Sequence, residues 1–169
     1  VLKWFTDQYC LNKSNKLKIN SVCPCFYFMT SIIIVEDDKL TAEVLSKFLE
    51  IKNFDVAGRG INGKEGVELY KKFRPDIVLM DIMMPEFSGF YGVSEIRKIN
   101  PYAKIIIITT DTRENTIEQL MGLSVSAICL KPDDFEKLVP TIEQIMKEQK
   151  VTQKLLQNKA YEVQDNSSS

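Results

Sequence analysis

The residues best suited to chemistry are acids, hydroxyls and one lysine. Glu36, Asp37 and Asp38 stand in a row, Asp81 stands alone, Thr109 is followed by Thr110, and Lys131 precedes Pro132. Each group directly follows a short apolar run: Ile32-Ile33-Ile34-Val35, Ile77-Val78-Leu79-Met80, Ile105-Ile106-Ile107-Ile108 and Ala127-Ile128-Cys129-Leu130. Carboxylates brought close together repel one another, and ionising all of them is costly without a cation. A hard divalent ion such as Mg2+ relieves that repulsion, taking one or two carboxylates, waters and phosphate oxygens. A carboxylate beside it can act as a nucleophile toward phosphorus. A lysine and a threonine hydroxyl suit the charge that develops on the transferring oxygens. Taken singly, each residue has a plainer reading. Asp38 suits a helix N-cap, Asp81 a loop or cap, Thr109 a strand end and Lys131 a solvated surface. It is their convergence that points to a site.

Such convergence requires a particular scaffold. Beta-branched and apolar runs at 31–35, 54–57, 76–80, 105–108 and 126–130 read as strands. Between them, apolar residues fall at helical spacing: Leu40, Val44, Leu45, Phe48 and Leu49; Val67, Tyr70 and Phe73; Val93, Ile96 and Ile99; Ile117, Leu120 and Met121. Phe135, Leu138, Val139, Ile142, Ile145 and Met146 form a last stripe, with Pro140 placed to kink that helix or shift its start. Strand and helix thus alternate five times, and several strands are apolar on both faces. This pattern predicts an α/β fold with a doubly wound, five-stranded parallel sheet. In such sheets ligands bind at the carboxyl ends of the strands, where every candidate residue falls.

Other chemistries are excluded by what the chain lacks. The 169 residues contain no histidine, which removes Ser-His and Cys-His nucleophile pairs and any internal phosphohistidine. The net charge of −1, with no block of five Lys or Arg, gives no footprint for nucleic acid. Cys23-Pro24-Cys25 lacks the spacer of a redox or zinc pair, and Cys129 reads as core packing. No Gly-rich nucleotide loop ending in Lys-Ser/Thr is present, and three acids after the first strand would repel a flavin phosphate. A haloacid-dehalogenase-like phosphatase would want a second acid where Met83 stands. The apolar stretch from Val22 to Val35 is too interrupted for a membrane span. The expected organisation is an N-terminal extension at 1–28, one domain at 29–149, and a helix end with a disordered polar tail at 150–169.

With these residues in view, the chain resembles the receiver domain of two-component response regulators over about residues 30–147. The resemblance rests on Ile34-Val35-Glu36-Asp37-Asp38, Asp81-Ile82-Met83-Met84-Pro85 with Gly89, Ile108-Thr109 and Lys131-Pro132. It implies a flavodoxin-like fold and makes Asp81 the phosphoacceptor. Asp37, Asp81 and the Met83 backbone carbonyl would bind Mg2+, and Glu36 would act mainly through a metal-bound water. Thr109 and Lys131 would contact the phosphoryl group, and Lys131-Pro132 could be cis. The implied donor is a phosphohistidine on a histidine kinase or histidine phosphotransfer protein. The implied role is cytoplasmic signalling, by binding a downstream protein or relaying phosphate, with slow autodephosphorylation but no conventional enzyme activity. Thr109 and position 128 would form the switch. Here the chain departs from the family: Ile128 replaces an aromatic residue, Thr110 a smaller one and Asp133 an aromatic one. With Pro140, these departures put the usual output face in question and keep open an alternative, an unphosphorylated interaction module.

Overall fold

The computed structural model describes residues 29–165. Strands and helices alternate as β1 (Ser31–Val35), α1 (Lys39–Ile51), β2 (Asp55–Gly60), α2 (Gly63–Phe73), β3 (Ile77–Met80), α3 (Gly89–Ile99), β4 (Ile105–Thr109), α4 (Glu114–Gly122), β5 (Ala127–Leu130) and α5 (Phe135–Asp165). The sheet order is β2-β1-β3-β4-β5 and every neighbouring pair is parallel. This is the flavodoxin-like, doubly wound sheet that the alternation predicts. The expectations for residues 1–28, including Cys10, Cys23 and Cys25, and for the last residues, 166–169, lie outside the described residues.

Successive strand side chains point to opposite faces, so each apolar run feeds two cores. Ile33, Val35, Val78, Met80, Ile105 and Ile107 pack with Val67 and Tyr70 of α2, Val93 and Ile96 of α3 and Leu120 of α4. Ile32, Ile34, Ile77, Leu79, Ile106 and Ile108 pack with Leu45 and Leu49 of α1 and Leu138 and Ile142 of α5. The whole predicted α5 stripe, Phe135, Leu138, Val139, Ile142, Ile145 and Met146, lies in or against that second core. Cys129 is buried there as a free thiol.

Several boundaries differ from the sequence reading for local reasons. β2 runs on through Gly58 and Gly60, which the pattern places beside the strand. A β carbon on Gly58 would lie 3.0 Å from Leu69 and 3.2 Å from Phe73, so glycine here lets those α2 side chains lie close on this edge strand. Phe73 and Met121, at helical spacing, are nevertheless exposed, as are Leu40 and Val44 on the outer side of α1. α5 begins at Phe135 and passes through Pro140, so the proline does not set its start. Lying near the helix's N-terminal end, it removes one intrahelical bond and leaves the turns on either side intact. Asp38 caps α1 as expected, its Oδ1 accepting from Thr41 N at 2.7 Å.

Ile106 is fully buried in the centre of the sheet. Ile106→Ala should lower stability by about 2–5 kcal/mol, whereas Leu40→Ala on the exposed side of α1 should cost under roughly 0.5 kcal/mol. Urea denaturation, read as a change of midpoint at constant slope, checks both.

Candidate functional site

The parallel register places the site. Val35 pairs with Met80 and Thr109 with Leu130, so the residues that follow must emerge together. The ladder continues one step beyond the strands. Asp81 N donates to Val35 O at 2.9 Å, Glu36 N to Gly60 O at 2.9 Å and Lys131 N to Thr109 O at 2.9 Å. These bonds hold Glu36, Asp81 and Lys131 at one edge of the sheet as rigidly as the strands themselves.

Lys131 is the centre of the cluster. Its Nζ donates to Glu36 Oε2 and, at 3.3 Å, to Asp81 Oδ2. The side chains of Lys131, Glu36 and Asp81 are only 12%, 5% and 10% exposed. Burial pushes the Glu36 carboxyl above its ordinary range, Lys131 pulls it back through its hydrogen bond and charge, and the Asp81 charge adds to the rise. Asp81 Oδ1 accepts from Ile82 N at 2.6 Å, with Met83 N at 3.4 Å, so its second oxygen faces Lys131. Exposed Asp37 completes the group: one carboxylate oxygen from each of Glu36, Asp37 and Asp81 lies within 4.8 Å of the others. Three carboxylates against one ammonium leave the cluster negative. Hard oxygen donors so spaced fit a divalent cation of the Mg2+ kind.

Gly89 belongs to this geometry. A β carbon there would fall 2.0 Å from Asp81 O and 2.8 Å from Ile82 Cα. The first turn of α3 therefore closes on the Asp81 loop only because residue 89 is glycine. Thr109 ends β4 fully buried, and its Oγ1 accepts from Asp111 N at 3.1 Å. Thr110 is exposed beside it, and Asp38 is exposed and occupied as a cap. Half-buried Ile128 packs against the core beneath α2, α3 and α4. Asp133 is exposed, and the Lys131-Pro132 bond is cis.

Sequence reasoning passed over one group. Asp111 is buried, and its carboxylate holds Arg113 and Thr116. The spacing Asp-x-Arg-x-x-Thr offered a signal, but charged residues just before a helix read as solvated caps until burial is known.

A five-stranded parallel sheet with a carboxylate cluster and a lysine at its carboxyl edge fits a signalling receiver domain. The family model for the response regulator receiver domain matches residues 32–143, and the chain belongs to that family. It is a receiver of the CheY kind, the type that serves two-component phosphorelay signalling. It is 33% identical over 116 residues to the chemotaxis protein CheY of Thermotoga maritima, covering 69% of this chain and 97% of that protein. It is 30% identical over 118 residues to protein CcdB of Bacillus subtilis, covering 70% and 98%. A LuxR-family DNA-binding response regulator from Staphylococcus aureus superposes with a TM-score of 0.66 at 31% identity, covering 69% of this chain and 98% of that one. Receiver domains bind Mg2+ at an acidic pocket, and this chain has the acidic cluster. Among the described residues no helix is long and apolar enough to cross a membrane.

The Glu36 carboxyl gives a signed pH prediction. Its raised value means the folded state binds the proton more tightly than the unfolded chain does. Its contribution to stability is therefore complete below the ordinary value of 4.5 and is lost as pH rises through the raised one. Lys131→Met removes the hydrogen bond and charge that moderate this, so stability should fall more steeply with pH in the variant. Urea melts at a series of pH values without divalent metal check it, with carbon-detected NMR of the Glu36 carboxyl following the titration directly.

Proposed function

We propose that Asp81 is the phosphoacceptor of a phosphorelay receiver whose donor is a phosphohistidine on a histidine kinase or histidine phosphotransfer protein. The observation that carries this reading is the bridge from Lys131 to both Glu36 and Asp81 at the carboxyl edge of the sheet. With no histidine among these 169 residues, the phosphohistidine lies outside them.

Asp81 Oδ2 is the oxygen facing Lys131, and it is the nucleophile. It forms a bond to phosphorus as the phosphorus–nitrogen bond to the donor imidazole breaks, the electron pair leaving with the imidazole. Asp81 Oδ1, held by the Ile82 N–H, fixes the angle of the carboxylate during this exchange. Lys131 offsets charge on the transferring oxygens, and the Thr109 hydroxyl donates to one of them. Asp37, Asp81 and the Met83 carbonyl are the residues that would hold Mg2+, with Glu36 acting through a bound water. Such an ion neutralises charge on the phosphoryl oxygens. Slow loss of phosphate by hydrolysis resets the domain.

The functional unit spans 29–149 and works in the cytoplasm, where its phosphorylated form binds a downstream protein or passes the phosphoryl group on. Thr109 and Ile128 mark the face that changes.

Incubation with a small phosphodonor and Mg2+ followed by intact mass measurement tests the reading. The wild type should gain one Mg2+-dependent phosphoryl group and Asp81→Asn none. An equal adduct on Asp81→Asn, or none on the wild type, contradicts it and leaves an unphosphorylated interaction module.

A further inference from the structure

We propose that Asp111 is a positioning residue for the phosphoryl-transfer site, acting through Thr109. It holds the β4–α4 loop in the one conformation that orients the Thr109 hydroxyl as a donor toward the phosphoryl group. The inference rests on the role assigned to Thr109 above.

Asp111 is buried, with its side chain only 6% exposed. Its Oδ1 accepts from Arg113 N at 3.0 Å and Arg113 Nε at 2.9 Å. Its Oδ2 accepts from Arg113 Nη2 at 2.6 Å, Arg113 Nε at 3.1 Å and Thr116 Oγ1 at 2.9 Å. Both oxygens are thus engaged, by a backbone amide, a guanidinium fork and a buried hydroxyl on the first turn of α4. A carboxylate so filled has little freedom to turn, and neither does the main chain that carries it. The Arg113 hydrogen bonds also hold the Asp111 carboxyl well below the usual carboxylate range, so the clamp stays charged at ordinary pH.

What the clamp fixes is the Asp111 N–H. That group donates to Thr109 Oγ1, the one hydrogen bond the Thr109 hydroxyl makes among the described residues. A hydroxyl carries one hydrogen and two lone pairs. Accepting from Asp111 N selects one of the few staggered positions open to a β-branched side chain and leaves the hydrogen available to donate. Threonine at this strand end would otherwise be free to turn its hydrogen toward a backbone carbonyl. Arg113 adds a second brace. Its Nη2 also lies 3.9 Å from Met83 Sδ, so one guanidinium spans from the β4–α4 loop to the loop that follows Asp81.

The test uses the full chain, acetyl phosphate as phosphodonor and Mg2+, with the phosphorylation rate followed across donor concentration. The proteins compared are the wild type, Asp111→Ala, Asp111→Asn, Thr109→Ala and the double variant Thr109→Ala/Asp111→Ala. Removing an oriented donor costs roughly 10²-fold, so misorienting it through Asp111→Ala should slow the maximal rate about tenfold, with the half-saturating donor concentration little changed. Asp111→Asn, which keeps volume and a side-chain oxygen, should recover part of the rate. In the Thr109→Ala background, Asp111→Ala should have no further effect, because the group it positions is gone. Equal slowing by Asp111→Ala in both backgrounds, or none in either, overturns the proposal while leaving Thr109 its role. A normal rate in Thr109→Ala overturns both.

Discussion

A lysine ammonium buried between two buried carboxylates is the interaction on which the rest of the molecule depends. Taking three charged groups out of water is expensive, and their attraction repays it only if the geometry is good. Lys131 reaches Glu36 and Asp81 at once because β1, β3 and β5 end at the same height, with β4 bridging β3 and β5. Even so the balance is incomplete, since Glu36, Asp37 and Asp81 outnumber the single ammonium. The excess negative charge that makes the cluster costly is the same charge that would draw in a divalent cation. Cost and function here have one origin.

The scaffold exists to hold that edge. Its central strands are apolar on both faces, which commits them to a parallel sheet sandwiched between helices. Parallel strands in register deliver the following residues to one side, and the backbone bonds just past β1, β3 and β5 hold them there. Gly89 does the last of the placing. By letting α3 start against the main chain of Asp81, it sets where the acceptor can sit.

Ile128, Thr110 and Asp133 are the departures from the family. Half-buried Ile128 stands on β5 where the family carries an aromatic ring, and Thr109 pairs there with Leu130. The hydrogen bond of the Thr109 hydroxyl runs along the chain, to Asp111 and thence to Arg113 and Thr116 at the start of α4. A bonded path of this kind is short and stiff, and it joins the acceptor strand's neighbour to a helix on the surface. Arg113, held on Asp111, also lies beside exposed Met83 in the loop after the acceptor.

The alternation of elements, the two-faced strands and the list of polar residues at strand ends were all readable from the amino-acid sequence, because each is a local pattern of residue type. The order of the strands came from the structure, because local alternation of strand and helix does not say which strands are neighbours. What local pattern could not reach was depth. Gly58 and Gly60 read as lying just beside the strand and prove to lie in β2, because the close approach of α2 is a property of two elements together. Leu40 and Met121 fit the helical stripes and are exposed, since spacing specifies a face and not what covers it. Asp111 was not singled out in the sequence, and only its burial against Arg113 and Thr116 gives it a role. Sequence by itself determined which groups stand at the carboxyl edge. Tertiary structure alone decided which of them are desolvated and which touch, because burial and contact are set by elements far apart in the chain.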